Sequence, residues 1–286
     1  MKELLEQSIR QMAERAFIED CACDDVTSRA CIDPAAMGSA HIVLKQPARI
    51  AGLAFLPHLF QTFDPDLSLS LKFEEGEDAN AGTILAIVKG RLQSLLASER
   101  TALNLLQHTC GVATLTAQFV EQVKGYACDI LDTRKTIPGM RRLQKYAVRM
   151  GGGKNHRFDL KEKVLIKNNH LKVLRKRCAE PIAWATRRAK EQFPDVPVEV
   201  EVENIAMLQE ALLAGVEWVM LDNMSVSAVR EAVELAQGRA YLEASGGMTL
   251  ANIRAYAATH VNGISIGALT HSAPAVDISM RLCDGP

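Results

Sequence analysis

One segment of the chain, Asp132–Lys167, holds eleven basic residues against three acidic ones, while the complete chain has a formal net charge of −1. A concentrated positive field of this kind raises the local concentration of anions and speeds their capture. The basic residues within Arg141–Arg149 recur at helical spacing and fit a solvated helix face, the usual explanation of a charge run. The flanking stretches Asp132–Lys135 and Gly151–Arg157 contain turn residues and lack a helical period. We therefore interpret them as a binding site for a strongly anionic ligand.

Charged residues and glycines follow a series of short apolar runs in the C-terminal part of the chain. If these runs are parallel strands, their carboxyl ends meet at one edge, where barrel enzymes place their active-site residues. Each group alone could be a loop residue or a helix cap, whereas six in succession favour an active site. In chain order the groups are Asp132–Lys135, Lys167–His170, Glu201 or Glu203, Asp222–Asn223, Glu243–Gly247 and Gly267–Ala268.

Two of these groups are suited to phosphate. Ser245–Gly246–Gly247 precedes a predicted helix, and small residues allow backbone N–H groups to converge on an anion at a helix start. Gly267 follows the last predicted strand, and barrels often bind phosphate with the loops after their last two strands. A lone Ser-Gly-Gly is more often a simple turn, but its pairing with Gly267 favours a phosphate site.

Two carboxylates, Glu201 and Asp222, lie on this otherwise cationic edge. They could hold Mg²⁺, which usually takes one or two carboxylates and completes its shell with substrate phosphates. They could instead pair with the arginines, whose forked guanidinium groups suit carboxylates. Glu199 and Glu203 share the alternation of this strand, and Glu201 is chosen because it most nearly ends the apolar run. A ligand with carboxylate and phosphate groups, or two anionic ligands, fits this set.

The elements that position these residues are predicted from alternation. Short apolar runs alternate with helical segments of about ten residues, a pattern that indicates parallel strands joined by crossover helices. No GxGxxG follows a strand, so a dinucleotide-binding sheet is disfavoured. We therefore predict a (β/α) barrel-like domain, with eight units or an incomplete set. The predicted strands are 129–131, 164–166, 198–202, 218–221, 240–242 and 263–266, and the helices between them are 182–193, 206–214, 226–236 and 250–258.

The first third of the chain predicts a different kind of domain. An amphipathic helix over 3–18 is followed by a loop, CACDDVTS, and then by strands at 39–44, 67–73 and 84–88, typical of an α+β domain. Helices over 92–108 and 112–124 follow, with a join near Gly111. The predicted class is therefore α/β, with an N-terminal α+β sandwich domain over 1–111 and the barrel-like catalytic domain over 112–286, whose C-terminal tail is free to return to the first domain.

The amino-acid composition indicates the cellular compartment. Of the 286 residues, 48% are hydrophobic and 23% charged, as in soluble globular proteins. No apolar run reaches the roughly 18 residues of a membrane helix, and the N-terminus does not read as a signal peptide. The seven cysteines are odd in number and scattered, which favours reduced thiols. A zinc site at Cys21, Cys23, Cys31 and His41 is disfavoured by the absence of CxxC spacing. These features predict a cytoplasmic protein without a membrane partner.

Seven segments together resemble the quinolinate phosphoribosyltransferase family. The resemblance implies an α/β sandwich followed by a barrel-like domain, arranged in a homodimer with shared active sites or in a higher oligomer. It also implies the conversion of quinolinate and phosphoribosyl pyrophosphate to nicotinate mononucleotide, carbon dioxide and pyrophosphate, with magnesium, in NAD biosynthesis. The segments are ERTALNLLQHTCGVAT (99–114), DTRKTIPGMRRLQKYAVRMGGGKNHR (132–157), LIKNNH (165–170), VEVEVEN (198–204), MLDN (220–223), EASGG (243–247) and ISIGALTHS (264–272).

The resemblance also implies roles for individual residues. Those that match quinolinate-binding positions are Arg134, His156, Arg157 and Lys167, while Arg100 matches an arginine that reaches the neighbouring subunit's site. Those that face the phosphoribosyl group and magnesium are Lys135, Glu201, Asp222, Ser245, Gly246, Gly247 and Gly267. Catalysis is assigned to Lys135, Lys167, Glu201 and Asp222, and the metal to the last two. The chain departs from the family's glycine-bearing pattern at Asp24–Ser28, with Cys21–Ala22–Cys23 where glycines are common, and at Asn168, where an acid is frequent.

Three alternatives stay open from the sequence. Lys167 at a strand end could form a Schiff base, as in an aldolase-like barrel. The basic segment could bind RNA, although its only aromatic residues are Tyr146 and Phe158, which leaves few stacking platforms. A molybdenum-transport-associated homologue has the same fold, but the complete arginine, histidine and lysine set favours quinolinate. We expect no nucleic-acid partner.

Overall fold

The computed structural model describes residues 2–283 and the side chains of residues 5–283. The chain divides into two compact units. The first unit comprises the chain up to Ala117, Thr136–Gly152 and the chain from Ala268 onward. The second comprises Gln118–Lys135 and Gly153–Gly267.

The elements are numbered in chain order. Up to residue 122 they are α1 (Lys2–Glu19), α2 (Val26–Cys31), β1 (Met37–Leu44), β2 (Ala48–Arg49), α3 (Leu56–Phe63), β3 (Ser68–Leu71), β4 (Asp78–Ala79), β5 (Ile84–Arg91) and α4 (Leu92–Gln122). Beyond it they are β6 (Asp129–Leu131), α5 (Arg141–Met150), β7 (Val164–Ile166), α6 (Asn168–Leu174), α7 (Pro181–Gln192), β8 (Val198–Val202), α8 (Ile205–Leu213), β9 (Trp218–Asp222), α9 (Val226–Ala236), β10 (Tyr241–Ser245), α10 (Ile253–Ala257), β11 (Gly263–Ser265), α11 (Ala268–His271) and β12 (Ile278–Leu282).

The first unit contains an antiparallel sheet in the order β12-β1-β5-β3 and a small β2-β4 pair. Strand β12 from the end of the chain pairs with β1, with Ile42 opposite Met280. Ile42 and Leu44 alternate inward along β1 and are fully buried, together with Ile9 of α1 and Phe60 of α3. Alternating apolar residues on strands and a matching stripe on the helices thus form one core. The predicted α+β character is confirmed.

Helix α4 corrects a prediction, because the structure has one continuous helix where two were expected. Gly111, taken as the join, lies within it, and a Cβ there would collide with the carbonyl oxygen of Pro274. The glycine is therefore explained by a close backbone approach between segments far apart in sequence. Local sequence patterns carry no information on such a contact.

The segment predicted as a loop, CACDDVTS, is also largely helical. It forms a 3₁₀ turn over Ala22–Asp24 and then helix α2. The Asp25 carboxylate accepts the backbone N–H groups of Thr27 and Ser28 at 3.0 and 3.1 Å. Such capping satisfies amide groups that have no partner within the helix, and it explains why a short polar segment folds into a turn of helix.

The second unit is built on a six-stranded parallel sheet in the order β6-β11-β10-β9-β8-β7. Strand β8 is buried along its whole length. Asn204 and Ser225 cap α8 and α9 through their side chains, and each cap begins a crossover helix directly after a strand. No pairing between the edge strands β6 and β7 occurs in the described part of the chain, so the barrel-like sheet stays open. This confirms the predicted barrel-like class in its incomplete form, with the six strands expected from the sequence.

Within residues 2–283, no helix is both long and apolar enough to cross a membrane.

Candidate active site

A cavity of about 290 Å³ opens within the second unit. Its wall combines residues from the carboxyl ends of the parallel strands and from the loops that follow them, as expected of a barrel-type site. Eight of the twelve residues singled out from the sequence line it, so the strand-end pattern located a real concavity. The lining residues are Asp132, Thr133, Arg134, Lys135, His156, Arg157, Leu165, Lys167, Glu201, Met220, Asp222, Glu243, Ser245 and Ser265.

An ion pair between Lys167 and Glu201 lies on the cavity wall. The Lys167 Nζ lies 2.7 Å from Glu201 Oε2, and the lysine side chain is 46% exposed. The backbone N–H of Asn168, the first residue of α6, also donates to Glu201 Oε1 at 3.3 Å. Burial raises the pKa of Asp222, and the nearby charge of Glu201 raises it further. The two carboxylates therefore repel each other, and a cation between them would be stabilised.

Two arginines, Arg134 and Arg157, form the cationic part of the wall. Arg157 is 8% exposed, and its Nη1 donates to the carbonyl oxygen of Lys163 at 2.8 Å. Burial lowers the pKa of Arg157, and the charge of Arg134 lowers it further. The Nε of Arg134 is buried without a hydrogen-bond partner among the side chains at 5–283. Buried donors are normally satisfied, so an anionic ligand would relieve both the repulsion and the unpaired donor.

A buried polar cluster lies beside and behind the cavity wall, and we define it as His156, Lys163, Glu199, Trp218 and Glu243. The Nε2 of His156 lies 2.9 Å from Glu199 Oε2 and 3.3 Å from Glu243 Oε2. Lys163 Nζ lies 3.3 Å from Glu199 Oε2 and 3.1 Å from the centroid of the Trp218 ring. The indole N–H of Trp218 donates to Glu243 Oε2 at 3.0 Å.

In the buried polar cluster, the negative charges of the two glutamates lie close to His156 and Lys163. Both glutamates are 0% exposed, and buried carboxylates persist only when they are paired. His156, Glu199 and Glu243 offer donor atoms within 4.8 Å of one another, a grouping that could hold a metal ion. However, the buried Lys163 ammonium already supplies positive charge at Glu199 and has no solvent to move into, so a metal ion would be disfavoured there, whereas Lys167 beside Glu201 is 46% exposed and can turn away.

His156 experiences two opposing influences. Burial alone would lower its pKa, but the contacts with Glu199 and Glu243 outweigh burial and raise it to about 9. The ring's Nδ1 accepts the backbone N–H of Arg157 at 2.8 Å, which requires a lone pair on that nitrogen. The carboxylates thus favour the charged ring, while Arg157 favours the neutral ring with its proton on Nε2.

Glu243 and the glycine loop correct two predictions. Glu243 was expected after its strand, but β10 extends to Ser245 and buries Glu243 within it. Gly246 and Gly247 have φ angles of 102° and 62°, and a Cβ at Gly246 would collide with Asn223 Oδ1. The helix expected from residue 250 begins only at Ile253. Any phosphate here would meet loop amides rather than a helix start.

The remaining predicted residues lie apart from the lining. Gly267 follows β11 in the turn before α11. Arg100 lies on α4 in the first unit, where its side chain is 59% exposed and 3.7 Å from Glu99. The other eleven predicted residues all belong to the second unit.

Sequence reasoning missed four residues around the cavity: Lys163, Glu199, Trp218 and Ser265. The strand VEVEV does place Glu199 on the same side as Glu201, so the alternation could have identified Glu199. Asn168, where the family frequently has an acid, donates through its Nδ2 to Glu203 Oε1 at 2.7 Å. An aspartate at this position could not donate that hydrogen bond.

Comparisons with known proteins agree with this architecture. Residues 112–281 match the family described as "Quinolinate phosphoribosyl transferase, C-terminal domain", and residues 25–110 match its N-terminal domain. A probable nicotinate-nucleotide pyrophosphorylase (carboxylating) from Synechocystis sp. is 40% identical over 86% of this chain and 83% of its own. The corresponding Mycobacterium leprae protein is 38% identical over 96% of both chains.

Solved structures show the same fold. The nicotinate-nucleotide pyrophosphorylase of Francisella tularensis superposes with a TM-score of 0.90 at 34% identity, covering 97% of both chains. NadC from Streptococcus pyogenes gives a TM-score of 0.90 at 35% identity, covering 96% of both chains. Family matches to both parts of the chain, close relatives over its length and a cavity formed by the expected motifs lead to one conclusion: the chain belongs to the quinolinate phosphoribosyl transferase family.

Proposed function

We propose that the protein transfers the phosphoribosyl group of phosphoribosyl pyrophosphate to quinolinate with loss of carbon dioxide. The products are nicotinate mononucleotide and pyrophosphate, and the reaction serves NAD biosynthesis. The observation that carries this proposal is the composition of one cavity, where two mutually repelling arginines face a carboxylate pair. Relatives named for this activity support it.

The dicarboxylate substrate is assigned to the cationic wall. The unpartnered Nε of Arg134 and the buried guanidinium of Arg157 would each bind a carboxylate of the pyridine ring. Lys167 and His156 complete this end of the cavity. Fixed cations of this kind hold the ring so that its nitrogen faces the ribose carbon.

The phosphoribosyl substrate is assigned to the opposite group of residues. Lys135 and Ser245 line the cavity, and Gly246 and Gly247 have the positive φ angles that turn backbone N–H groups toward an anion. Gly267, after the last strand of the sheet, would contribute a further amide at the usual phosphate position of barrels.

Magnesium fits the carboxylate pair. The raised pKa of Asp222 beside Glu201 indicates repulsion that a cation would relieve, and oxygen ligands from one or two carboxylates are usual for Mg²⁺. We propose that Glu201 and Asp222 would hold it, where it would neutralise charge on the pyrophosphate. An excess of chelator should abolish turnover, whereas full turnover in its presence would rule out this assignment.

The reaction requires no covalent nucleophile from the protein. The C1–oxygen bond of the ribose breaks, pyrophosphate leaves with its electron pair, and the pyridine nitrogen forms the new bond to C1. Glu201 and Asp222 stabilise the positive charge that develops on the ribose. The cationic ring nitrogen then accepts the electrons of the C2–carboxylate bond as carbon dioxide leaves, and C2 takes up a proton. Lys167 is engaged in an ion pair with Glu201, which disfavours its use as the nucleophile of a Schiff base.

One assay tests the proposed function. Pyrophosphate release should be rapid with quinolinate and phosphoribosyl pyrophosphate, and at least about 100-fold slower when nicotinate replaces quinolinate, since one carboxylate contact is lost. Equal rates with both acids, or no release with quinolinate, would contradict the assignment.

We also propose a cytoplasmic homodimer with shared active sites, or a higher oligomer built from it. All seven cysteines are free thiols, which supports a reducing compartment. Arg100 is exposed on the first unit and pairs only loosely with Glu99, as expected of a residue that serves a neighbouring subunit. Arg100→Ala and Lys167→Ala proteins, each inactive alone, should regain activity after subunit exchange. Exchange verified by mass spectrometry without recovered activity would contradict the shared site.

A further inference from the structure

Arg157 is fixed at two points by the buried polar cluster. Its backbone N–H donates to His156 Nδ1 at 2.8 Å, and its guanidinium Nη1 donates to the Lys163 carbonyl at 2.8 Å. The backbone and the charged end of this arginine are therefore both held. The contacts come from the two residues that lie at the ends of the loop it begins.

His156 and Lys163 both contact the same atom, Oε2 of Glu199. Glu199 Oε2 lies 2.9 Å from His156 Nε2 and 3.3 Å from Lys163 Nζ. The contacts therefore form a closed ring, from Arg157 through His156 to Glu199 and back through Lys163. Glu199 is 0% exposed and lies within β8, opposite Leu165 of β7 and Trp218 of β9. It is the only member of this ring that belongs to a sheet strand.

The sheet therefore provides the rigid support of the ring. Groups held by packed strands keep their geometry better than groups on loops. Glu199 Oε2 is also fixed relative to Glu243 through their common neighbour His156. The orientation of Arg157 in the cavity then depends on a carboxylate outside the cavity lining.

We propose that Glu199 is a positioning residue for dicarboxylate recognition, acting through His156 and Lys163 on Arg157. This inference rests on the proposed function, since it assigns quinolinate to Arg157. The phosphoribosyl end of the cavity, formed by Lys135 and the Ser245–Gly247 loop, is outside the ring. Loss of Glu199 should thus impair the use of quinolinate and spare that of phosphoribosyl pyrophosphate.

The test is the Glu199→Gln variant, which keeps the shape of the side chain and removes its charge. The KM for quinolinate should rise about tenfold or more, the range expected for a lost hydrogen bond to a charged group. The KM for phosphoribosyl pyrophosphate should stay within about twofold of the wild-type value, a change within the expected noise of distant substitutions. Glu231→Gln, on the exposed face of α9, is the matched control and should change neither constant.

A double variant separates positioning from charge balance. Glu199→Gln leaves the Lys163 ammonium buried without its counter-charge, and this could destabilise the fold by itself. Adding Lys163→Met removes that ammonium but keeps the carbonyl that binds Arg157. The double variant should melt close to the wild-type temperature and keep the raised KM for quinolinate.

Three results would contradict the positioning role of Glu199. Wild-type KM for quinolinate in either variant would overturn the inference, and recovery in the double variant alone would reduce Glu199 to a counter-ion of Lys163. An equal rise in both KM values would indicate a general loss of structure and would also overturn it. Absence of pyrophosphate release from the wild-type protein would instead refute the proposed function.

Discussion

Two lysine–glutamate ion pairs lie at opposite ends of the neighbouring strands β7 and β8, and they differ in their surroundings. Lys163 and Glu199 lie 3.3 Å apart at the start of β7 and β8, and their side chains are 9% and 0% exposed. Lys167 and Glu201 lie 2.7 Å apart at the end of those strands, where the lysine is 46% exposed. The inner pair is enclosed by Trp218, and the outer pair opens to the cavity beside Asp222.

The difference shows that identical ionic chemistry serves different purposes at different depths. Removal of a buried charge from its partner leaves the other uncompensated in a medium of low polarity, which is costly. An exposed pair contributes little to stability, because water can replace either partner. We therefore expect loss of the inner pair to lower stability in addition to impairing the use of quinolinate, and loss of the outer pair to lower activity with little effect on stability. The following substitutions test this difference between the two pairs.

Breaking the outer pair should have the largest effect. Lys167→Ala removes a cation from the cavity wall, and kcat/KM with quinolinate should fall on the order of 10³-fold, as for the loss of other preorganised electrostatic groups. The melting temperature should change little, because the lysine side chain is 46% exposed. Lys172→Ala, an exposed lysine of α6, is the control for both measurements. A marked fall in the melting temperature together with the fall in kcat/KM would contradict the expected difference between the two pairs.

Breaking the inner pair should lower stability, which breaking the outer pair should not. Lys163→Ala leaves the 0% exposed Glu199 without its ammonium, and the free energy of unfolding should fall by about 3 kcal/mol. Urea denaturation measures this directly, and Lys161→Ala, an exposed neighbour, serves as the control. Unchanged stability in Lys163→Ala would show that the cluster does not depend on the pair.

Arg134 tests how specific the cationic wall is. Arg134→Lys keeps the charge but removes the fork, so kcat/KM with quinolinate should fall about 10²-fold. The fold should be preserved, because the residue lines a cavity. Arg230→Lys on the exposed face of α9 is the control. Near-normal kinetics in Arg134→Lys would show that the Arg134 guanidinium does not bind the substrate. The outer pair would then be the main determinant of kcat/KM with quinolinate.

The sequence placed Lys167 and Glu201 at one edge of the sheet without predicting their ion pair, and it did not identify the inner pair, for physical reasons. Apolar runs end where strands end, so Lys167 and Glu201 could be placed at an edge from the pattern alone. In VEVEV, by contrast, Glu199 and Glu201 are equivalent in direction, and depth depends on the partners that each strand meets. The contacts of Lys163 with Trp218 join residues 55 positions apart. Such contacts follow from sheet order, which alternation does not specify.

The same limit applies to glycines. Gly111 indicated a break between two helices, yet it marks a close approach to Pro274 within one continuous helix. At Gly246, by contrast, a glycine at the end of a strand predicts a tight turn from local sequence, and the φ angle there is 102°. Local chemistry could thus be predicted wherever its cause was local.

A pH titration should reveal the smallest effect, and it concerns the inner cluster alone. The contacts with Glu199 and Glu243 outweigh burial and raise the pKa of His156 from about 6.5 to about 9. A raised folded-state pKa means that the charged ring stabilises the fold. This contribution is fully present below about pH 6.5 and is lost as the pH rises through about 9.

The expected loss between about pH 7 and about pH 9 is on the order of 1 kcal/mol, since the Arg157 N–H at Nδ1 favours the neutral ring and opposes the carboxylates. Urea denaturation across this range should show it in the wild-type protein and not in His156→Gln. Asp222 lies beside the outer pair, and its pKa is raised from 3.8. It loses its proton on the acid side of this range, so its titration is separate from that of His156. Parallel curves for the two proteins would mean that His156 is neutral throughout. Lys163 would then be the sole cation that balances the two buried glutamates of the cluster, and its removal should cost even more than the 3 kcal/mol or so expected above.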